Sequence, residues 1–143
     1  MIDKSSDITK LWKNALENSR SDVVIVEQFL KGPQISTESI VYDGRIFTPG
    51  FADRNYDDLE IYLPQIMENG GWVPSLHNKK KEIIEKEVLR AANSIGLMRG
   101  VVKGDVVLTD NGPAIIEIAA RLSGGDFSES LVPLGIGVNY VET

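Results

Sequence analysis

Cysteine is absent from this sequence, and histidine occurs once, at His77. Without thiols there is no disulfide, no thiolate zinc centre and no cysteine nucleophile, and His77 is the only imidazole available as base or ligand. A metal bound here would have to be one that prefers oxygen donors, such as magnesium. Long hydrophobic runs are missing too. Nothing approaches the roughly 18 residues a membrane span requires, and the N-terminus MIDKSSDITK carries no apolar signal region. The chain reads as soluble and cytoplasmic, with no membrane partner. Basic residues are in deficit, with 15 Lys and Arg against 21 Asp and Glu and a net charge of −6. Duplex nucleic acid is therefore not an expected partner, because phosphate neutralisation needs a basic face.

What is present is ordinary globular material. Hydrophobic content of 42% and charged content of 25% sit at the averages for folded domains. The 143 residues suffice for one core that hides roughly 68–70% of the unfolded surface. Ile8, Leu11, Trp12, Ala15 and Leu16 recur at helical spacing, with Ser5 or Ser6 as candidate caps. DVVIVEQFL reads as a buried strand, KGPQ as a turn, and ISTESIVYDGRIFTPGF as a hairpin split at Asp43-Gly44. Residues 52–71 are expected to form a loop with at most a short helix before Glu68, since Pro64 interrupts them. Ile84, Val88, Ala91, Ala92 and Ile95 define one face of a helix that ends at Gly96. A second hairpin is expected around Asp110-Asn111-Gly112, followed by a glycine-rich loop and a short helix interrupted near Pro133.

The segment EIAARLSGGD, residues 117–126, places a carboxylate, a guanidinium and bare backbone together at a strand end. A three-residue turn would set Asp105 directly opposite Glu117. It would put Val106, Leu108, Ala114, Ile116 and Ile118 on an apolar face, and Lys103, Asp105, Val107, Ile115, Glu117, Ala119 and Arg121 on the other. Facing carboxylates have Cβ atoms about 5 Å apart, a repulsion of roughly 3 kcal/mol at an effective dielectric of 20. Something must offset it. One reading is a salt-bridge network with Lys103 and Arg121. The other is a divalent cation between the carboxylates, with phosphate oxygens completing its shell and Arg121 on the same phosphates. Ser123-Gly124-Gly125 would let backbone amides approach the anion closely, though a lone Gly-Gly more often marks a turn and counts only beside Glu117 and Arg121.

In their order along the chain, these motifs resemble the ATP-grasp enzymes of the carboxylate–amine ligase type, including carbamoyl-phosphate synthase, biotin carboxylase and the phosphoribosylglycinamide synthetase group. The resemblance runs over about residues 20–139 and is carried by VIVEQFLKGPQIS, STESIVYDGR, FADRNY, GWVPSLHN and NSIGLMRGVVKGDVVLTDNGPAIIEIAARLSGG. It implies an α+β fold, an antiparallel sheet with helices on one face, corresponding to the C-terminal subdomain of an ATP-grasp module. Residues 1–20 would be the tail of the small subdomain. It further implies that ATP binds, with Glu27 at the hinge, the backbone of Gln28 and Leu30 on the adenine edge and Gln34 on the ribose, where the family usually has glutamate. Glu38 would orient a phosphate-binding lysine outside this chain. Asp105 and Glu117 would hold Mg2+, or Mn2+ in its place, and Arg121 would stabilise phosphate charge.

Two departures from the family pattern stand out. Ala119 replaces an asparagine ligand found in many members, and Lys103 a histidine found in several. The phosphate-binding lysines and lid loop that should precede the first helix are not in the sequence. The chain is thus expected to be a fragment whose partner is the missing N-terminal portion of the same protein, inactive when isolated. Small-molecule carboxylate and amine substrates would be the other partners, and a homo-oligomer stays open. Arg54 is the candidate for the acceptor carboxylate, the plain alternative being an ion pair with Asp53, Asp57 or Asp58. His77 is expected in a loop or at a helix start, and Trp12 and Trp72 in packing roles. A non-catalytic module keeping the scaffold for nucleotide sensing or assembly is the competing function, favoured by Gln34 and Ala119.

Overall fold

A computed structural model describes residues 6–63 and 65–142. Helix α1 spans Ile8–Glu17, and its N-cap is Asp7, whose carboxylate accepts from the Lys10 amide at 3.0 Å. The cap is neither of the serines proposed for it; Ser5 lies outside the described residues. Aspartate suits the position because its oxygen satisfies an amide the helix leaves orphaned. Strands β1 (Gln34–Tyr42), β2 (Arg45–Arg54) and β3 (Gly71–Trp72) follow, then helix α2 (Lys81–Ser94), β4 (Arg99–Thr109), β5 (Gly112–Ala119) and helix α3 (Val132–Ile136). The strands form one antiparallel sheet in the order β3-β2-β1-β4-β5. The fold is α+β with an antiparallel sheet, as the sequence implied.

The β1–β2 hairpin turns at Asp43 and Gly44, with φ of 46° and 79°, the left-handed pair that a two-residue turn matching the sheet's twist requires. Helix α2 ends with the Gly96 amide on the Asn93 carbonyl and the Leu97 amide on the Ala92 carbonyl, while Gly96 takes a φ of 78°. Its Ile84, Val88 and Ala92 are fully buried. They pack with Ile35, Val41, Phe51, Val102 and Val106 as the core, between α2 and one face of the sheet. Ile95, expected on the same face, is 56% exposed because the helix has already ended.

Two expectations do not hold. Residues 22–33 form no strand: Val23, Ile25 and Val26 are 63–79% exposed, and they lack a ladder partner among the described residues. Between Arg54 and Glu68 successive turns run and no helix forms among the described residues, as a loop with at most a short helix allows; Pro64 lies outside the described residues. Pro133 does not interrupt a helix but starts one, in the first turn of α3 directly after a π-helical turn at Phe127–Leu131. The π pattern, in which the Val132 amide reaches the Phe127 carbonyl, ends where proline supplies no amide.

Candidate functional site

The face of the sheet opposite the core carries the chemistry. Alternation places Ser36 and Glu38 of β1 beside Lys103 and Asp105 of β4, since Ser36 pairs with Asp105 and Glu38 with Lys103. Across the other edge of β4, Asp105 pairs with Glu117 and Lys103 with Ala119. The facing carboxylates thus exist, but they arise by a different route. The turn has two residues, Asp110 and Asn111, because Thr109 pairs with Gly112, and a β-bulge between Asp105 and Val106 restores the pairing further along. Its extra residue is Ile116. Ile115 therefore packs against the core instead of sharing the carboxylate face, and Ile116 is 43% exposed instead of lying on the apolar side.

Asp105 is 7% exposed and surrounded by donors. Its Oδ2 is paired with Lys103 Nζ and lies 3.1 Å from Arg54, and its Oδ1 accepts from Ser36 Oγ at 3.3 Å. Lys103 Nζ also stands 4.0 Å from Glu117 Oε1. Arg54 is doubly committed, since its guanidinium donates to Glu68 through both Nε, at 2.9 Å, and a terminal nitrogen. Its partners are Glu68 and Asp105, not Asp53, Asp57 or Asp58. Burial alone would push Arg54 down, but bonding to Glu68 and the fields of Asp105 and Tyr56 hold it above its ordinary value, so it stays charged. Burial raises the Tyr56 phenol, against the opposing charge of Arg54.

Two recesses flank this network. The larger, of roughly 940 Å³, is lined by Glu27, Gln28, Leu30, Gln34, Arg54 and Asp105 among others, with Trp12 of α1 and Ile116 on its walls. The smaller, of roughly 480 Å³, contains Asp53, Tyr56, Trp72 and His77, and shares Phe29, Leu30, Gln34, Arg54 and Tyr56 with the first. Trp12 and Trp72 are 46% and 50% exposed and line recesses instead of packing in the core. His77 precedes the short helical turn at Asn78–Lys80, as expected of a loop residue. Its backbone amide, not its ring, meets Ser75 Oγ, and Ser75 in turn donates to Asp53. That Ser–Asp pair braces the loop, with the Leu76 amide on the second Asp53 oxygen at 2.7 Å.

Arg121 does not join the carboxylates: it is exposed and donates to the Leu122 carbonyl at 2.9 Å. Glu38, expected to orient a lysine elsewhere, is fully buried and accepts the Ser123 amide at 2.9 Å, tying β1 to the glycine-rich loop. Burial pushes its carboxyl up, although Ser123, Ser128 and Lys103 partly counter this. Glu38 Oε2 and the Ser123 and Ser128 hydroxyls lie buried close together, and among the described residues none reaches full hydrogen-bond geometry. The role of Glu68 as second partner to Arg54 was missed, because nothing in the spacing of residues 54 and 68 signals that their loop folds back.

Magnesium would need the interval between Asp105 and Glu117, and the residues as arranged do not fit it. The Lys103 ammonium lies there, and a divalent ion about 4 Å from it would meet roughly 8 kcal/mol of repulsion at an effective dielectric of 20. Among the described residues no group of three or more His, Asp or Glu is placed to hold a metal ion. Among them, too, no helix is long and apolar enough to cross a membrane.

In structural comparison the chain resembles L-amino acid ligase from Bacillus licheniformis at 24% identity, TM-score 0.66, over 81% of this chain and 29% of that one. Phosphoribosylglycinamide synthetase from Anaerococcus prevotii matches at 24% identity and TM-score 0.65, over 90% and 32%. The biotin carboxylase domain of Hydrogenobacter thermophilus 2-oxoglutarate carboxylase, solved with MgADP and bicarbonate, matches at 17% and TM-score 0.67, over 94% and 29%. The chain thus spans about a third or less of the length of each. Among curated proteins none matches. The model of the ATP-grasp domain matches residues 4–125, most of the sequence. With the fold shared by these structures and the family model covering the site, the chain belongs to the ATP-grasp family.

Proposed function

We propose that this chain is the nucleotide-binding part of an ATP-dependent carboxylate–amine ligase. In this reading ATP lies in the larger recess, its adenine edge against the backbone of Gln28 and Leu30 beside Glu27, and its ribose hydroxyls at Gln34. The observation that supports it is convergence: residues from the 22–33 segment, β1, β2 and β4 line one recess, with Asp105 and Arg54 at one place on its wall. ATP would phosphorylate a substrate carboxylate, and an amine would displace phosphate from the acyl phosphate. Such catalysis depends on positioning and charge stabilisation more than on covalent chemistry by the protein. Arg121, exposed after β5, is a further cation for phosphate beside Lys103 and Arg54. Arg54 can serve the acceptor carboxylate only by giving up part of its hold on Glu68 or Asp105. The interval between the carboxylates holds the Lys103 ammonium and does not fit a metal.

A second reading, a nucleotide-binding module without catalysis, is favoured by one observation: Lys103 and Arg54 already satisfy Asp105. Titration calorimetry of the chain with a non-hydrolysable ATP analogue tests what the readings share. One hydrogen bond contributes about 0.5–1.5 kcal/mol, so Gln34→Ala should weaken binding roughly 2- to 10-fold, whereas Glu60→Ala, an exposed position, should leave it unchanged. The absence of saturable binding, or binding indifferent to Gln34, would remove both.

A further inference from the structure

We propose that Lys103 is a built-in substitute for a divalent cation at the Asp105–Glu117 pair, so that the hairpin has no resident metal. The inference takes from the functional reading only the location, and its test contains no nucleotide.

Three features carry it. Lys103 precedes Asp105 by two residues in β4, so both side chains leave the same face of the strand, and its ammonium contacts both carboxylates: paired with Asp105 and 4.0 Å from Glu117. The lysine is also housed. Its side chain is 13% exposed, and its direct partner on β5 is Ala119, a methyl group that leaves the lane above the strand open to a butyl stem. Finally, both oxygens of Asp105 are already taken. Arg54, which it shares with Glu68, lies 3.1 Å from the oxygen that Lys103 holds, and Ser36 occupies the other oxygen of Asp105 at 3.3 Å. An entering divalent ion would have to expel the ammonium from a nearly enclosed place and also strip its own tightly held water. A phosphate arriving at this face meets an ammonium and a guanidinium.

Titration of the isotopically labelled 143-residue chain with Mn2+ alone, read as paramagnetic broadening of backbone amide signals, tests the proposal. Wild type should show no site-selective broadening at Asp105 or Glu117. Lys103→Ala should lose both signals at equimolar Mn2+, with Mg2+ restoring them by competition, and Lys103→Ala/Glu117→Gln should lose the effect. Should the alanine variant fail to give a folded spectrum, Lys103→Met keeps the apolar stem and removes only the charge, and the same gain of broadening is expected. Selective broadening in wild type overturns the proposal, and so does a folded lysine variant that remains as insensitive to Mn2+ as wild type. A failure of nucleotide binding would leave this result untouched.

Discussion

Glu38 accepts the Ser123 amide on one oxygen, and its second oxygen meets no donor at hydrogen-bond geometry among the described residues, in a place that solvent does not reach. Burial raises its carboxyl above the usual 4.5, because a charge removed from water without full compensation favours the neutral form. The folded state then holds the proton more tightly than the unfolded one. Stability from this group is fully present below pH 4.5 and is lost as pH rises through the elevated folded value. Urea unfolding across the weakly acidic range should show that decline in wild type and a flatter profile in Glu38→Gln, which keeps an acceptor for Ser123 without the charge. Superimposable profiles would show that Glu38 does not titrate in this way. Sequence alone could name Glu38 but not its partner, since Ser123 lies 85 residues away and the contact depends on how the loop after β5 folds over β1.

Among the elements, β4 and α2 meet at Gly104. A Cβ there would lie 2.8 Å from Thr37 Oγ1 and 3.1 Å from Val88 Cγ2, closer than ordinary packing allows. Gly104→Ala should cost about 1–3 kcal/mol by overpacking, seen as a lower denaturant midpoint. Adding Val88→Ala should recover part of that loss, a coupling of about 0.5 kcal/mol or more. Additive losses would place the strain elsewhere. Hairpins, α2 and the Asp105–Glu117 pairing were legible from periodicity and turn residues. The bulge was not: a three-residue turn and a two-residue turn with a bulge give the same pairing at Asp105, and differ in which faces residues 113–116 take. The apolar run at 23–30 misled for a related reason. Its composition satisfies a strand, but a strand needs a neighbour, and neighbours are a property of the fold.

At the scale of the molecule, a large apolar surface remains outside the core. Ile8 is 61% exposed, Ile25 79% and Val26 68%, all on the wall of the larger recess. Residues this exposed add little to folding, so Ile25→Ser/Val26→Ser should change unfolding free energy by no more than about 0.5 kcal/mol per site. The same substitutions should reduce fluorescence of an apolar dye such as anilinonaphthalene sulfonate, since they remove contiguous greasy surface. A large drop in stability instead would mean that the segment is packed in solution. The family was legible from ordered motifs. The occupancy of the carboxylate pair was not, because the family pattern names positions and leaves unstated what a lysine two residues upstream can reach.

The two recesses have Arg54 in common, and this ties their occupants together. A guanidinium drawn toward a guest on one side alters the field and the geometry met by a guest on the other. Whatever factor the first imposes on the affinity of the second, the second must impose on the first.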